Sequence, residues 1–403
     1  MTTTDADAAT ITDRVACVRR GNVHRDLVWF QQGLSFVPVY VANGALGGCV
    51  DAFGLHSRAN FDMDEGRTHV AHVDHYSRRL DGNGGHILRS LFHLTATGVR
   101  GEEPGWGLLD AWQQELDLWT ASCSTTWREG SAFATRVFAS WATPQLWCWE
   151  LDQELADPAD ALHLRLECDV RAAENNARKP GKRIDDLSVT ISQEAEDCWR
   201  IVSETDCRSS TLLVQVQGAT VQAEDAALLI EPDAACRLRV LVLDRHLDAA
   251  IAADPRAFLG RDDHRQRHEA AVAAHWRACG LLELPADTPE ASWWPRYAYY
   301  LPASLSPDPS HIQVAHGLNA NNWGHGFPQD HWYGMMALPR LGLHERTAAQ
   351  LPYYNDDLPA YERYTQRLCR RPGVFFPWEA PFEDLDEFEL DGPTNDNSYQ
   401  FHN

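Results

Sequence analysis

The sequence predicts a multi-domain β + α chain: an N-terminal antiparallel β-sandwich, a linker helix, and then a layer of helices. Three observations carry this. Between about residues 20 and 250, apolar and polar residues alternate in run after run, the period of a half-buried strand. No helical period separates those runs, and strands without intervening helices pair antiparallel. From Asp262 the period becomes that of a helix and stays so.

Residues 1–20 read as a polar, flexible start, and 21–261 as the sandwich. Asn43-Gly44-Ala45-Leu46-Gly47-Gly48 is a tight turn into a strand that continues through Cys49 and Val50. It lacks the GxGxxG spacing and the following helix of a phosphate loop. Phe133, Thr135, Val137, Ala139 and Trp141 form one alternating run, and Trp147, Trp149 and Leu151 another. Leu162, Leu164, Leu166, Cys168 and Val170 repeat the pattern, as do Leu212, Val214 and Val216, then Leu238, Val240 and Val242. Asp81-Gly82-Asn83-Gly84-Gly85 and Lys179-Pro180-Gly181 break the series.

The linker helix is placed at 262–284. Val272, Trp276 and Cys279 share one face, Asp262 or Asp263 can cap the start, and Gly280 suits a left-handed C-terminal residue. Residues 285–403 form the helical region. A helix is expected over 289–305, then a long loop over 306–327, then a helix from near Asp330 that Pro339 bends or ends. A further helix follows Gly342 and breaks at Asn355-Asp356-Asp357. Pro359 restarts it, with Tyr361, Tyr364, Thr365 and Leu368 as its buried face. Pro372-Gly373 ends that helix and opens an acidic loop.

The chain has 403 residues, 44% hydrophobic and 23% charged, which is ordinary for a globular protein. Its formal net charge of −23 argues against nucleic acid and anionic membrane surfaces as partners. No run of about 18 apolar residues could span a membrane, and the N-terminus lacks a secretory core. Ten scattered cysteines without a CxxC pair read as buried free thiols, so the cytoplasm is the expected location. His69, His72 and His75, and likewise His316, His325 and His331, lack metal-ligand spacing, and neither metal nor cofactor is expected.

Two stretches carry the candidate chemistry: WGHGFPQDHWYGMMALPR at 323–340 and GVFFPWEA at 373–380. Each gathers aromatics, Gly and Pro around one acid, first Asp330 and then Glu379. A carboxylate accepts hydrogen bonds from sugar hydroxyls. Flat indoles stack on the apolar faces of sugar rings, which nominates Trp323, Trp332 and Trp378. The position of Asp330 also suits a helix N-cap.

The segment GHGFPQDHWYGMMALPRLGL resembles the barrel-helix start Phe-Trp-Asp-Thr-Glu of glycoside hydrolase family 65, the maltose, trehalose and kojibiose phosphorylases. Gln329 stands in place of the Trp, and His331-Trp332 in place of Thr-Glu. VFFPWEAP is similar to that family's Tyr/Phe-Pro-Trp/Met stretch. NGALGGCVDAFG, Glu115-Leu116-Asp117-Leu118 and Phe138-Ala139-Ser140 resemble strands of its N-terminal sandwich, in the same order. Families 15 and 95 are its relatives.

The resemblance implies that 285–403 supply the first part of an incomplete (α/α)6 barrel. It implies an inverting cleavage of a glycosidic bond in an oligosaccharide or glycoside, with a carboxylic general acid. A hydrolase would add a second carboxylate about 6.5–9.5 Å away to activate water. A phosphorylase would use inorganic phosphate as co-substrate instead. Counting forward from Phe376-Pro377-Trp378 makes Asp391 the acid, and counting back from His402-Asn403 makes it Asp396. Glu379 is the third candidate, because packing against Trp378 raises a carboxyl pKa. Asp330 corresponds to the family's sugar-hydroxyl acceptor. An incomplete barrel implies a homodimer or a complementing C-terminal half, and it admits a non-catalytic carbohydrate-binding or scaffolding role.

Overall fold

The computed structural model describes residues 13–28, 38–56, 70–75, 86–98, 109–168, 188–204, 209–243, 247–305, 328–356 and 358–376. The strands are β1 (Val23–Asp26), β2 (Val39–Ala42), β3 (Leu46–Val50), β4 (Val70–His75), β5 (His86–Gly98), β6 (Ala111–Asp117) and β7 (Ser122–Glu129). They continue as β8 (Ser131–Ala139), β9 (Leu146–Glu154), β10 (Leu162–Glu167), β11 (Ser188–Ala195), β12 (Cys198–Glu204), β13 (Ser209–Glu224) and β14 (Ala227–Val242).

The antiparallel β region is present as one hydrogen-bonded sheet of 14 strands among the described residues. Its path runs β1-β6-β7-β8-β9-β14-β10-β5-β4-β3-β2, with β11, β12 and β13 branching onto β14. The long strand β14 joins the two halves. Residues 227–230 pair with β10, and residues 235–241 pair with β9. Pro232, which has no N–H to give a ladder, lies between the two pairings. Gln153 Nε2 donates to the carbonyls of Pro232 and Asp233 there, at 3.0 and 2.9 Å. Opposite, the register of β13 shifts between Gln217 and Ala219. Gly218 has φ +70, and an added Cβ would meet the Ala235 carbonyl oxygen at 2.0 Å, so only glycine fits this bend.

The sheet folds over so that β2 and β3 lie against β7 and β8. Three indoles clamp the loop at 51–56 between these layers. Trp112 donates to Ala52 O at 2.6 Å, Trp149 to Gly54 O at 2.7 Å, and Trp147 to His56 Nε2 at 3.2 Å. These tryptophans are core residues whose N–H groups all find acceptors.

The helices are α1 (13–19), α2 (Ala249–Ala253), α3 (Pro255–Leu259), α4 (His264–Ala278), α5 (Glu290–Ser304), α6 (Pro328–Ala337), α7 (His344–Asp356) and α8 (Leu358–Cys369). The start expected to be flexible through residue 20 is already helical and packed from residue 13. Val18 is fully buried, and Arg14 donates to the carbonyls of Trp276 and Cys279, the open end of α4.

Two expected helix ends differ. Asp263 occupies the N-cap position of α4 but makes no side-chain cap bond, because Arg261 holds its carboxylate at 2.6 and 2.9 Å. Gly280 is not left-handed. The C-cap Cys279 is extended, and Gly280 N–H donates to Leu341 O at 2.7 Å across to the helical layer.

The buried face of α4 is wider than its apolar pattern suggests. His264, His268 and His275 join Val272 and Trp276 on it. His268 accepts from Trp141 N–H at 3.1 Å and donates to Thr120 O at 2.7 Å, while Trp276 donates to Leu118 O at 2.7 Å. One apolar core runs from Val18 through the sheet to Trp276, Tyr299, Leu338 and Leu343, without a break at the expected 261/262 boundary. Arg346 of α7 closes the seam. It donates to Pro302 O at 3.0 Å and lies 5.2 Å over the Trp141 ring. No helix among the described residues is long and apolar enough to cross a membrane.

Candidate functional site

Helix α6 is shaped by its own sequence. Pro328 opens it with a backbone angle already set for the first turn. Asp330 adds negative charge to that turn, where the helix dipole favours it. His331, Met335 and Leu338 follow at i, i+4 and i+7 and are all buried. The helix tightens into a 3-10 turn over Leu338–Leu341 and stops at Gly342, whose φ of 75° is left-handed.

Burying that stripe turns the opposite face outward. Trp332 is 54% exposed and Tyr333 55% exposed, while Asp330 in the first turn is half-buried. Trp332 is therefore a surface residue of these elements, whereas Trp147, Trp149 and Trp276 serve the core. Asp330 sits inside the first turn, past the N-cap position.

The face is fixed from behind by His331. Gln350 Oε1, an acceptor, lies 2.9 Å from His331 Nε2, so Nε2 carries the proton. Nδ1 then accepts from the Tyr354 hydroxyl at 3.0 Å. Burial lowers the His331 pKa to about 4, against a smaller upward pull from Gln350, so the ring is neutral at pH 7. Burial pushes the Tyr354 hydroxyl up, which keeps it a donor.

The network continues to the second stretch. Tyr354 meets Phe376 edge-on at 5.2 Å, and Phe376 meets Tyr361 at 4.7 Å. Phe375 stacks on Tyr364 at 6.1 Å, and its N–H donates to Thr365 Oγ1 at 2.7 Å. Tyr361, Tyr364 and Thr365 form the buried face expected for α8, while the Leu368 side chain lies outside the described ones. The two aromatic stretches thus meet through His331, Tyr354 and Phe376, one residue before Pro377-Trp378-Glu379.

Of the expected site residues, Asp330 and Trp332 both lie on α6, the first half-buried and the second exposed, two residues apart and so on different sides of the helix. Trp323, Trp378, Glu379, Asp391 and Asp396 lie outside the described residues. The sequence reading assigned His331 no structural role and did not single out Gln350 or Tyr354. The available signal was the i, i+4 stripe of His331, Met335 and Leu338, which marks His331 as inward. Among the described residues, no group of three or more His, Cys, Asp or Glu side chains is placed to hold a metal ion.

No protein-family model matches the chain, and no curated protein does. Solved structures do. A protein assigned as a kojibiose phosphorylase, from the human microbiome, aligns at a TM-score of 0.60 with 12% identity, covering 85% of this chain and 49% of that one. A bacterial glucoamylase in complex with acarbose aligns at 0.51 with 10% identity, covering 85% of this chain and 51% of that one. The chain thus shares a fold with these enzymes and spans about half the length of each.

Proposed function

We propose that the chain is a carbohydrate-active enzyme, or part of one, that cleaves a glycosidic bond of an oligosaccharide or glycoside by inversion. The observation that carries this is helix α6: a half-buried carboxylate in its first turn, Asp330, and the exposed rings of Trp332 and Tyr333, on a helix locked from behind by a neutral histidine. Protein sites for sugars need that pairing of polar acceptor and flat apolar wall. The fold likeness to a kojibiose phosphorylase and a glucoamylase supports the same reading.

In this proposal Asp330 accepts hydrogen bonds from sugar hydroxyls, and Trp323, Trp332 and Trp378 stack on sugar rings. The general acid is one of Asp391, Asp396 and Glu379. Helices α5 to α8 are read as the first part of an (α/α)6 barrel of the family 65 type. No cofactor is required, and phosphate would enter only as the co-substrate of a phosphorylase. The buried free thiols support a reducing, cytoplasmic setting.

Assaying cleavage of α-linked glucobioses by the purified chain, with and without inorganic phosphate, tests the proposal. Turnover that Asp330→Asn lowers at least tenfold is the expected result. Equal turnover by Asp330→Asn would remove Asp330 from the site. The half-length span motivates a second reading, a carbohydrate-binding or scaffolding chain completed by a second copy or a complementary half. Saturable sugar binding without turnover in either buffer would favour it.

A further inference from the structure

A cavity of about 350 Å³ lies away from that site, between β9, β14 and the start of α4. Glu150, Arg237, Arg239, Asp262, His264 and Arg265 line it. Arg239 is the anomaly. Its side chain is only 7% exposed, and Nη1 donates to Gln215 Oε1 at 3.0 Å and Leu259 O at 2.6 Å. The carboxylate opposite Nη2, Asp262, stands 3.8 Å away and is itself 97% exposed. A solvated acid at that distance offsets little of the cost of burying a guanidinium.

The other acid on the wall is already shared. Glu150 lies directly across the sheet from Arg136 on β8 and from Arg237 on β14, and Arg265 of α4 reaches it at 3.5 Å. Arg265 thus pairs with Glu150, and two further arginines are its cross-strand neighbours. The Nε of Arg136 is buried without a hydrogen-bond partner. Burial, and then the charge of Arg239, lowers the His264 pKa. The result is a cation-rich recess in a chain whose net charge is −23.

We propose that this recess binds a small tetrahedral oxyanion, with phosphate as its natural geometry, seated on Arg239 and closed over by Arg237 and Arg265. Guanidinium forks present paired donors at the spacing such oxygens need. An anion there would contact β14 and α4 together and so brace the sheet against the helix that precedes the candidate sugar site. The proposal is independent of glycoside cleavage.

Thermal unfolding and calorimetric titration of the whole chain with inorganic phosphate, against sodium chloride at equal ionic strength, test it. The expected result is a saturable rise in Tm with phosphate that chloride does not reproduce. Binding should weaken at least tenfold in Arg237→Gln and in Arg265→Gln, both surface changes, and persist in Asp330→Asn. Arg239→Met should abolish it; if that variant does not fold, the two surface variants decide. A phosphate effect no larger than that of chloride would overturn the proposal, as would one unchanged in both surface variants.

Discussion

His331 is a case where one side chain sets the direction of its neighbours. Its ring is neutral, fully buried and bonded at both nitrogens, so α6 cannot rotate without leaving a polar atom unpaired. Tyr354→Phe keeps the ring contacts with His331 and Phe376 but removes the donor to Nδ1. It should cost about 1–3 kcal/mol, the penalty for an unsatisfied buried acceptor. Urea unfolding of the variant beside the parent checks this, and an unchanged midpoint would mean that Nδ1 finds another donor. Asp330 was legible in the sequence because an acid among aromatics, Gly and Pro stands out in a short window. His331 was legible only as a departure from a family motif, because its partners lie 19 and 23 residues further on. Local spacing cannot carry a contact between two helices.

The turn from β2 into β3 is an element-scale device. Gly44 has φ +97, and a Cβ there would lie 2.1 Å from the carbonyl oxygen of Leu305, where α5 ends. Asn43 completes the turn by accepting from the N–H groups of Ala45 and Leu46 and donating to Ser140 O and Pro144 O. Gly44→Ala therefore adds an overpacking cost of about 1–3 kcal/mol to the backbone strain. Gly130→Ala, at φ +68 with its nearest neighbour 4.0 Å away, should show the strain alone, about 1–2 kcal/mol. Denaturation midpoints that fall equally for the two variants would refute the close approach. The turn itself was readable from Asn-Gly and the strand behind it, as were the strands that bury one face and alternate. The long reach of β14 was not, because its pattern changes midway, where it leaves β10 for β9. Cap geometry was missed at Asp263 and Gly280 for a similar reason: Arg261 and the Leu341 carbonyl compete for those groups from outside the helix.

Over the whole molecule, the order of β region, bridging helix and helical layer could be read from the change of hydrophobic period at Asp262, and the fold likeness covers 85% of the chain. The shared core could not be read in full, because buried histidines, which hydrophobic patterns count as polar, are part of the interior. Those histidines make the stability of the chain sensitive to acid. Burial lowers the pKa of His56, His268 and His331 to about 4 and that of His275 to about 3, from an ordinary 6.5. Between those values the unfolded chain binds protons that the folded chain refuses, so stability is full above about pH 6.5 and falls as the pH drops toward 4. Each histidine contributes a slope of about 1.4 kcal/mol per pH unit. Four together amount to at most about 5.6 kcal/mol per unit, set against a total stability of about 5–15 kcal/mol for a typical domain. Carboxylates with lowered pKa act lower on the pH scale, because Glu194 and Asp263, held by Arg200 and Arg261 at the surface, release that pairing only below their ordinary range. The chain should therefore unfold cooperatively above pH 4, followed by tryptophan fluorescence, and His275→Gln should flatten the pH slope by one proton. A stability constant from about pH 6.5 down to about pH 4.5 would show that these rings meet water in the folded state, and the shared core between sheet and helices would then have to be redrawn.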